Sequence, residues 1–267
     1  MLIITADDFG RSVSETDAAI ALARDQRITS VSAMVFMEDS ERAAVLASTV
    51  YVDVGLHLNF SEAWTSSGTP KELQDDQGML AAYFKRSRYA QVIYNPALRR
   101  AFRAVYEAQV AEFRRLYGRE PSHIDGHHHK HLCANMLVEP LIPRGLSVRR
   151  NFSFRRAEKS LLNRTYRKVV DTYLSRRYVL TDYFFSLELC LDGRGQPVTV
   201  VAELARTADV EVMTHPKKAA EFDYLCSRQF GEAVRAVSRG TYRELSIRRT
   251  DSVAKFAMVV ASLYQWL

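Results

Sequence analysis

Five of the chain's seven histidines fall within nine positions, His123-Ile124-Asp125-Gly126-His127-His128-His129-Lys130-His131. In an extended chain His123, Asp125, His127, His129 and His131 point to one side. If the chain turns helical after His127, that residue and His131 share a face at a four-residue spacing. Either arrangement gathers imidazoles behind an apolar run, which suits metal binding or proton transfer; a solvated charge cluster is the plainer alternative. Two other segments could join them. Ala6-Asp7-Asp8-Phe9-Gly10 places adjacent carboxylates at the end of an apolar strand, a costly arrangement unless a cation compensates them or one is protonated, although Asp also suits the start of a loop and helix. Val54-Gly55-Leu56-His57-Leu58-Asn59 holds a polar imidazole inside an apolar strand, which read alone is a core histidine.

These side chains need a scaffold that alternates strands and helices. Strands are expected at Leu2–Ala6, Thr29–Phe36, Tyr51–Phe60, His123–His127, Leu146–Arg150, Tyr178–Phe185 and Val210–Thr214, each rich in β-branched or aromatic residues. Helical patterns lie at Ser14–Arg24, Glu38–Ser48, Pro96–Tyr117, Leu132–Ile142, Glu158–Arg176, Val198–Arg206, Ala219–Ser238 and Ser252–Trp266. Ser12 or Ser14 suits the first cap and Gly118 a helix stop. Seven βα repeats predict an α/β fold with a mainly parallel sheet, an irregular barrel-like arrangement or an open one. The stretch from Ser61 to Asn95, with Thr65-Ser66-Ser67-Gly68-Thr69-Pro70 and Asp75-Asp76-Gln77-Gly78, is expected to be a long loop shaping the substrate site.

The chain has 267 residues, 47% hydrophobic and 25% charged, which fits one soluble domain over residues 1–267. A formal charge of +6 hints at an anionic partner, but there is no long polybasic arm and nucleic-acid binding is not expected. Cys133, Cys190 and Cys226 form no short-spaced pair, against a disulfide scaffold or a thiolate zinc site. Met1-Leu2-Ile3-Ile4-Thr5 runs straight into Asp7 without the pattern of a signal peptide, so a cytoplasmic address is expected. Phe256 to Leu267 is too short to span a bilayer, and no membrane span is expected.

Taken in order, Ala6-Asp7-Asp8-Phe9-Gly10, Gly55-Leu56-His57-Leu58 and the 123–131 run resemble the signatures of the YdjC-like (ChbG-type) carbohydrate deacetylase family, and Glu211-Val212-Met213-Thr214-His215-Pro216 resembles its late strand ending in a His-Pro pair. Lys217 stands where a glycine often follows in that family. The resemblance implies an irregular barrel-like α/β fold, a homodimer, and deacetylation of an N-acetylated saccharide. It implies Asp8, His57 and His127 as ligands of one divalent metal, Asp7 as base and His215 as acid; read alone, His215 is a surface histidine. One carboxylate and two imidazoles leave coordination positions open, as catalysis needs. Such donors favour Zn2+, whereas family members are described with Mg2+. The metal would activate a water to attack the amide and polarise its carbonyl, with Asp7 taking the water's proton and His215 protonating the amine. Arg149 or Arg150 could orient Asp7, and Asp125, His129 and His131 could fix ring tautomers. A barrel-fold metal-dependent phosphoesterase and a non-catalytic sugar-binding protein remain as alternatives.

Overall fold

A computed structural model describes residues 1–153 and 161–251. Its elements run β1 (Leu2–Phe9), α1 (Val13–Arg24), β2 (Ser30–Ala33), α2 (Ser40–Ala47), β3 (Asp53–Leu58), α3 (Lys71–Arg86), α4 (Arg99–Tyr117), β4 (Ile124–Gly126), α5 (Ala134–Val138), α6 (Leu161–Ser175), β5 (Tyr183–Ser186), α7 (Leu187–Leu191), α8 (Val198–Leu204), β6 (Val210–Thr214), α9 (Ala219–Cys226) and α10 (Arg228–Val234), with short 3₁₀ turns between some of them. The helix expected over Ser252–Trp266 lies outside the described residues, as does the start of the one expected over Glu158–Arg176.

Among the described residues the sheet has six strands in the order β4-β3-β2-β1-β6-β5, every neighbouring pair parallel. All eight residues of the central β1 are buried, in keeping with the near-continuous apolar run of a strand covered on both faces. Because every strand points the same way, residues at the ends of β1, β3, β4 and β6 meet at one end of the sheet, where parallel α/β folds carry their sites.

The fifth of the seven expected strands, Leu146–Arg150, is not one. It makes single parallel bridges, Ile124 with Val148 on one side and Ser147 with Val179 on the other, and so curls the sheet across the space between β4 and β5. Its Arg149 side chain is fully buried among carboxylates where an ordinary strand would pack a β-branched residue. The 61–95 stretch also differs from the expected loop. Its first ten residues are irregular, but α3 follows, burying Gln77, Leu80 and Ala81 along one stripe and packing beside α4. Asp75, Asp76 and Gly78 imitate a turn while lying on its other positions. The helix expected over Ala219–Ser238 is broken at Ser227, whose hydroxyl accepts from the Phe230 amide at 3.1 Å and caps α10. Gly118, at φ +62°, ends α4 in the left-handed conformation expected of it.

Candidate active site

The two aspartates of β1 point to different partners because the strand is irregular between them. Pairing with β2 shifts register between Ala6 and Phe9, and Asp8 adopts φ +62°, a left-handed conformation that a non-glycine residue holds only when its surroundings impose it. Both carboxylates are buried. Asp7 accepts from both terminal nitrogens of Arg149 at 2.7 Å, a bidentate pair. Asp8 Oδ1 instead accepts from His127 Nδ1 at 2.8 Å and lies 3.4 Å from His57 Nε2.

β3 supplies His57 and β4 leads into His127. Asp125, in register beside His57 across the β3–β4 pair, lies 2.8 Å from His57 Nδ1. A carboxylate only accepts, so Nδ1 carries the proton and Nε2 faces Asp8. Asp125 is itself fixed by the Ser32 hydroxyl at 2.8 Å and by Arg149 at 2.6 Å. Burial would raise the Asp8 carboxyl, yet its hydrogen bonds to His127 and His57 hold it well below the usual carboxylate range. Burial would lower His57, but the charges of Asp125 and Asp7, with the hydrogen bonds to Asp125 and Asp8, push it up to about 10.

The remaining histidines do not follow either extended or helical spacing. After Gly126 the chain turns through His128 and His129, both left-handed, at φ 52° and 55°. That double reversal sends the rings apart. His127 enters the cluster, His128 Nδ1 lies 3.0 Å from Ser61 Oγ, and His129 packs edge-on against Phe152 and Phe184. His131 Nε2 donates to the Arg149 carbonyl at 3.0 Å, so it steadies the arginine's backbone, and no hydrogen bond links it or His129 to His57 or His127. His123 lies one strand position before β4, stacked on Tyr242 and 3.0 Å from Ser32.

Arg149 is the electrostatic hub. Besides Asp7 and Asp125 it meets Glu211 of β6 at 2.8–2.9 Å, and Glu211 also accepts from the Tyr242 hydroxyl. Burial alone would lower its pKa; the three carboxylates raise it well above the ordinary value. A carboxylate in the apolar run Val210–Thr214 is the same signal that His57 gives in β3, so Glu211 was findable. Two other acids carried no such mark. Glu62, just after β3, is forked by Arg11 at 2.9 and 3.1 Å and approaches His127 Nε2 to 3.1 Å, outside hydrogen-bonding geometry. Glu221 of α9 is buried, accepts from the His215 backbone amide at 3.0 Å, and places its other oxygen 3.8 Å from His215 Nδ1. Burial works against a charged His215, but Glu221, with the charges of Asp7 and Asp8, raises its pKa. Lys217 reaches back to Glu15 of α1 at 2.9 Å.

Among the described residues, three groupings have donor atoms within 4.8 Å of one another: Asp8, His57 and His127; Asp7, His57 and Asp125; Glu62, His127 and His128. The second is closed by Arg149 and Ser32, and the third is more exposed, with Glu62 committed to Arg11. The first fits a cation. Ligands about 2.0–2.1 Å from a tetrahedral ion lie roughly 3.3 Å from each other, the Asp8–His57 separation is of that size, and the shorter Asp8–His127 contact holds a proton that an ion would replace.

A parallel α/β sheet whose strand ends converge acids and imidazoles on one polar centre belongs to the class of proteins that carry their chemistry at the carboxyl ends of the strands. The profile of YdjC-like proteins matches residues 1–236. The chain belongs to that family. It is 24% identical over 269 residues to a Vibrio cholerae carbohydrate deacetylase, covering 98% of this chain and 97% of the relative. It is 27% identical over 267 residues to a Klebsiella pneumoniae chitooligosaccharide deacetylase, covering 92% and 99%, and 28% identical over 245 residues to a mouse carbohydrate deacetylase, covering 80% and 77%. A crystal structure of an Enterococcus faecalis protein named for cellobiose-phosphate cleavage shares the fold, with a TM-score of 0.61 at 20% identity over 91% of this chain and 98% of that one.

Proposed function

We propose that this chain is a hydrolase that removes the acetyl group from an N-acetylated saccharide, with Asp8, His57 and His127 holding one divalent ion, Asp7 as base and His215 as acid. The observation that carries the reading is the division of labour between adjacent aspartates: Asp7 is locked on a guanidinium while Asp8 is turned onto two imidazoles. The names of the relatives supply the substrate class. Two nitrogens and one oxygen favour zinc or a similar ion. When bound, the ion would lower the pKa of water and polarise the amide carbonyl. The chain's own residues do the rest. Arg149 orients the Asp7 carboxylate to take the attacking water's proton, Asp125 holds the His57 ring so that Nε2 faces Asp8, where an ion would replace its proton, and the His215 imidazole, charged with the help of Glu221, delivers a proton to the departing amine.

The test is acetate release from N-acetylglucosamine oligomers, glycolipids and nucleotide sugars with several added metals, beside elemental analysis. About one ion per chain is expected, with His57→Ala and His127→Ala each lowering occupancy. Asp7→Asn should keep the metal and lose about 10²–10⁴-fold in turnover, whereas Asp8→Asn should impair both. Full occupancy in both histidine variants would remove the ligand assignment. Release of metal by Asp7→Asn but not Asp8→Asn would exchange the two roles, and phosphate release in place of acetate would move the reading to a phosphoesterase.

A further inference from the structure

Charge is distributed very unevenly along the sequence. Residues 144–178 contain eleven Lys and Arg against two acids, Glu158 and Asp171, a net +9 in a chain whose total is +6, so the remainder is net negative. In the structure part of this charge gathers around α6. Arg144, Lys168, Arg176 and Arg177 line one open cleft of about 620 Å³, and among the described residues no carboxylate lines it. Basic residues elsewhere on the surface are commonly engaged, as Arg42, Arg99, Arg114 and Arg115 are with aspartates or glutamates. Arg144, Lys168 and Arg176 have no such partner among the described residues. Arg177 lies over the Tyr173 ring, and its buried Nε has no acceptor.

Four cations in one cleft repel each other, and an external counter-charge relieves that repulsion. The same helix exposes large aliphatic side chains, Leu161 at 75% and Val169 at 62%. Cations beside exposed aliphatics on one helix match a surface that is anionic outside and apolar just beneath. Duplex nucleic acid offers the phosphates without that apolar layer. The cleft is also clear of the polar centre. Gly145 donates to the Arg177 carbonyl at 2.8 Å, ahead of the Ser147–Val179 bridge and at the end of the sheet opposite His127.

We propose that the α6 face is a docking surface for an anionic lipid bilayer, a property independent of the deacetylase reading. The test is co-sedimentation of the full chain with phosphatidylcholine vesicles, pure or containing phosphatidylglycerol. Binding is expected to the anionic vesicles only and to weaken with salt. Each cation near such a surface strengthens binding about fivefold, so Lys168→Glu with Arg176→Glu should weaken it roughly 25-fold or more. Val169→Ser should weaken it without changing retention on heparin, and an unchanged thermal midpoint confirms that the variants fold. Equal binding to neutral and anionic vesicles, indifference to the charge reversals, or retention on heparin without vesicle binding would each overturn the proposal, the last in favour of a soluble polyanion.

Discussion

At the scale of single residues, adjacent side chains of one type are given different environments. Asp7 and Asp8 part at a left-handed bulge, and the five clustered histidines end with five different partners. The sequence marked the composition of this centre well, because carboxylates and imidazoles in apolar strands are costly and therefore conspicuous. It could not assign partners to them: Asp8, His128 and His129 have positive φ without being glycine, and a two-residue period fails wherever that occurs. Glu221 was hidden because a glutamate on a helix is ordinary until its burial is known. It supplies a prediction. Burial lowers the His215 pKa and the neighbouring Glu221 carboxylate raises it, so the acid form, and with it turnover, is lost as pH rises through the folded value. Glu221→Gln should move the alkaline limb of the kcat profile to lower pH and leave the acid limb in place. An unmoved alkaline limb would separate His215 from proton delivery.

At the scale of elements, all six strands of the sheet were legible, and the segment between its edge strands was not. β1, β3 and β6 read as strands because long apolar runs need two covered faces. Leu146–Arg150 has the composition of a strand, and its backbone bonds to Ile124 on one side and Val179 on the other, but each pairing is a single bridge rather than a ladder. One strand position shows how tightly the elements fit. A Cβ added at Gly55 of β3 would lie 2.2–2.5 Å from the His123 ring, which cannot retreat because it is stacked 4.0 Å from Tyr242 and held by Ser32. Gly55→Ala should therefore cost about 1–3 kcal/mol in urea unfolding. Because Ser32 also fixes Asp125, and Asp125 fixes His57, metal affinity should fall with it. Adding His123→Ala should recover part of the stability. A neutral Gly55→Ala would mean that β3 and β4 can shift apart without loss.

At the scale of the whole molecule, the buried polar centre sets the conditions under which the fold persists. Burial drives the imidazoles of His123, His129 and His131 below their ordinary pKa, to about 4 for His131. A histidine depressed in the folded state takes up its proton more readily when unfolded, so its contribution is present above about pH 6.5 and drains away as pH falls toward the folded value. For His131 alone the shift corresponds to roughly 3 kcal/mol, offered by a side chain with no carboxylate of its own to stabilise the charged ring. His57, raised to about 10, runs the other way and loses its contribution only on the alkaline side. Urea unfolding at about pH 7.5 and about pH 5 should show a clear loss of stability at the lower pH, and His131→Gln, whose amide can still donate to the Arg149 carbonyl, should flatten that slope. An equally steep slope in the variant would place the acid sensitivity elsewhere. The histidine-rich turn that assembles the centre thus also acts as a built-in acid limit: an environment near pH 5 would draw protons into the unfolded chain and pull the fold apart from its middle, even with every surface charge left as it was.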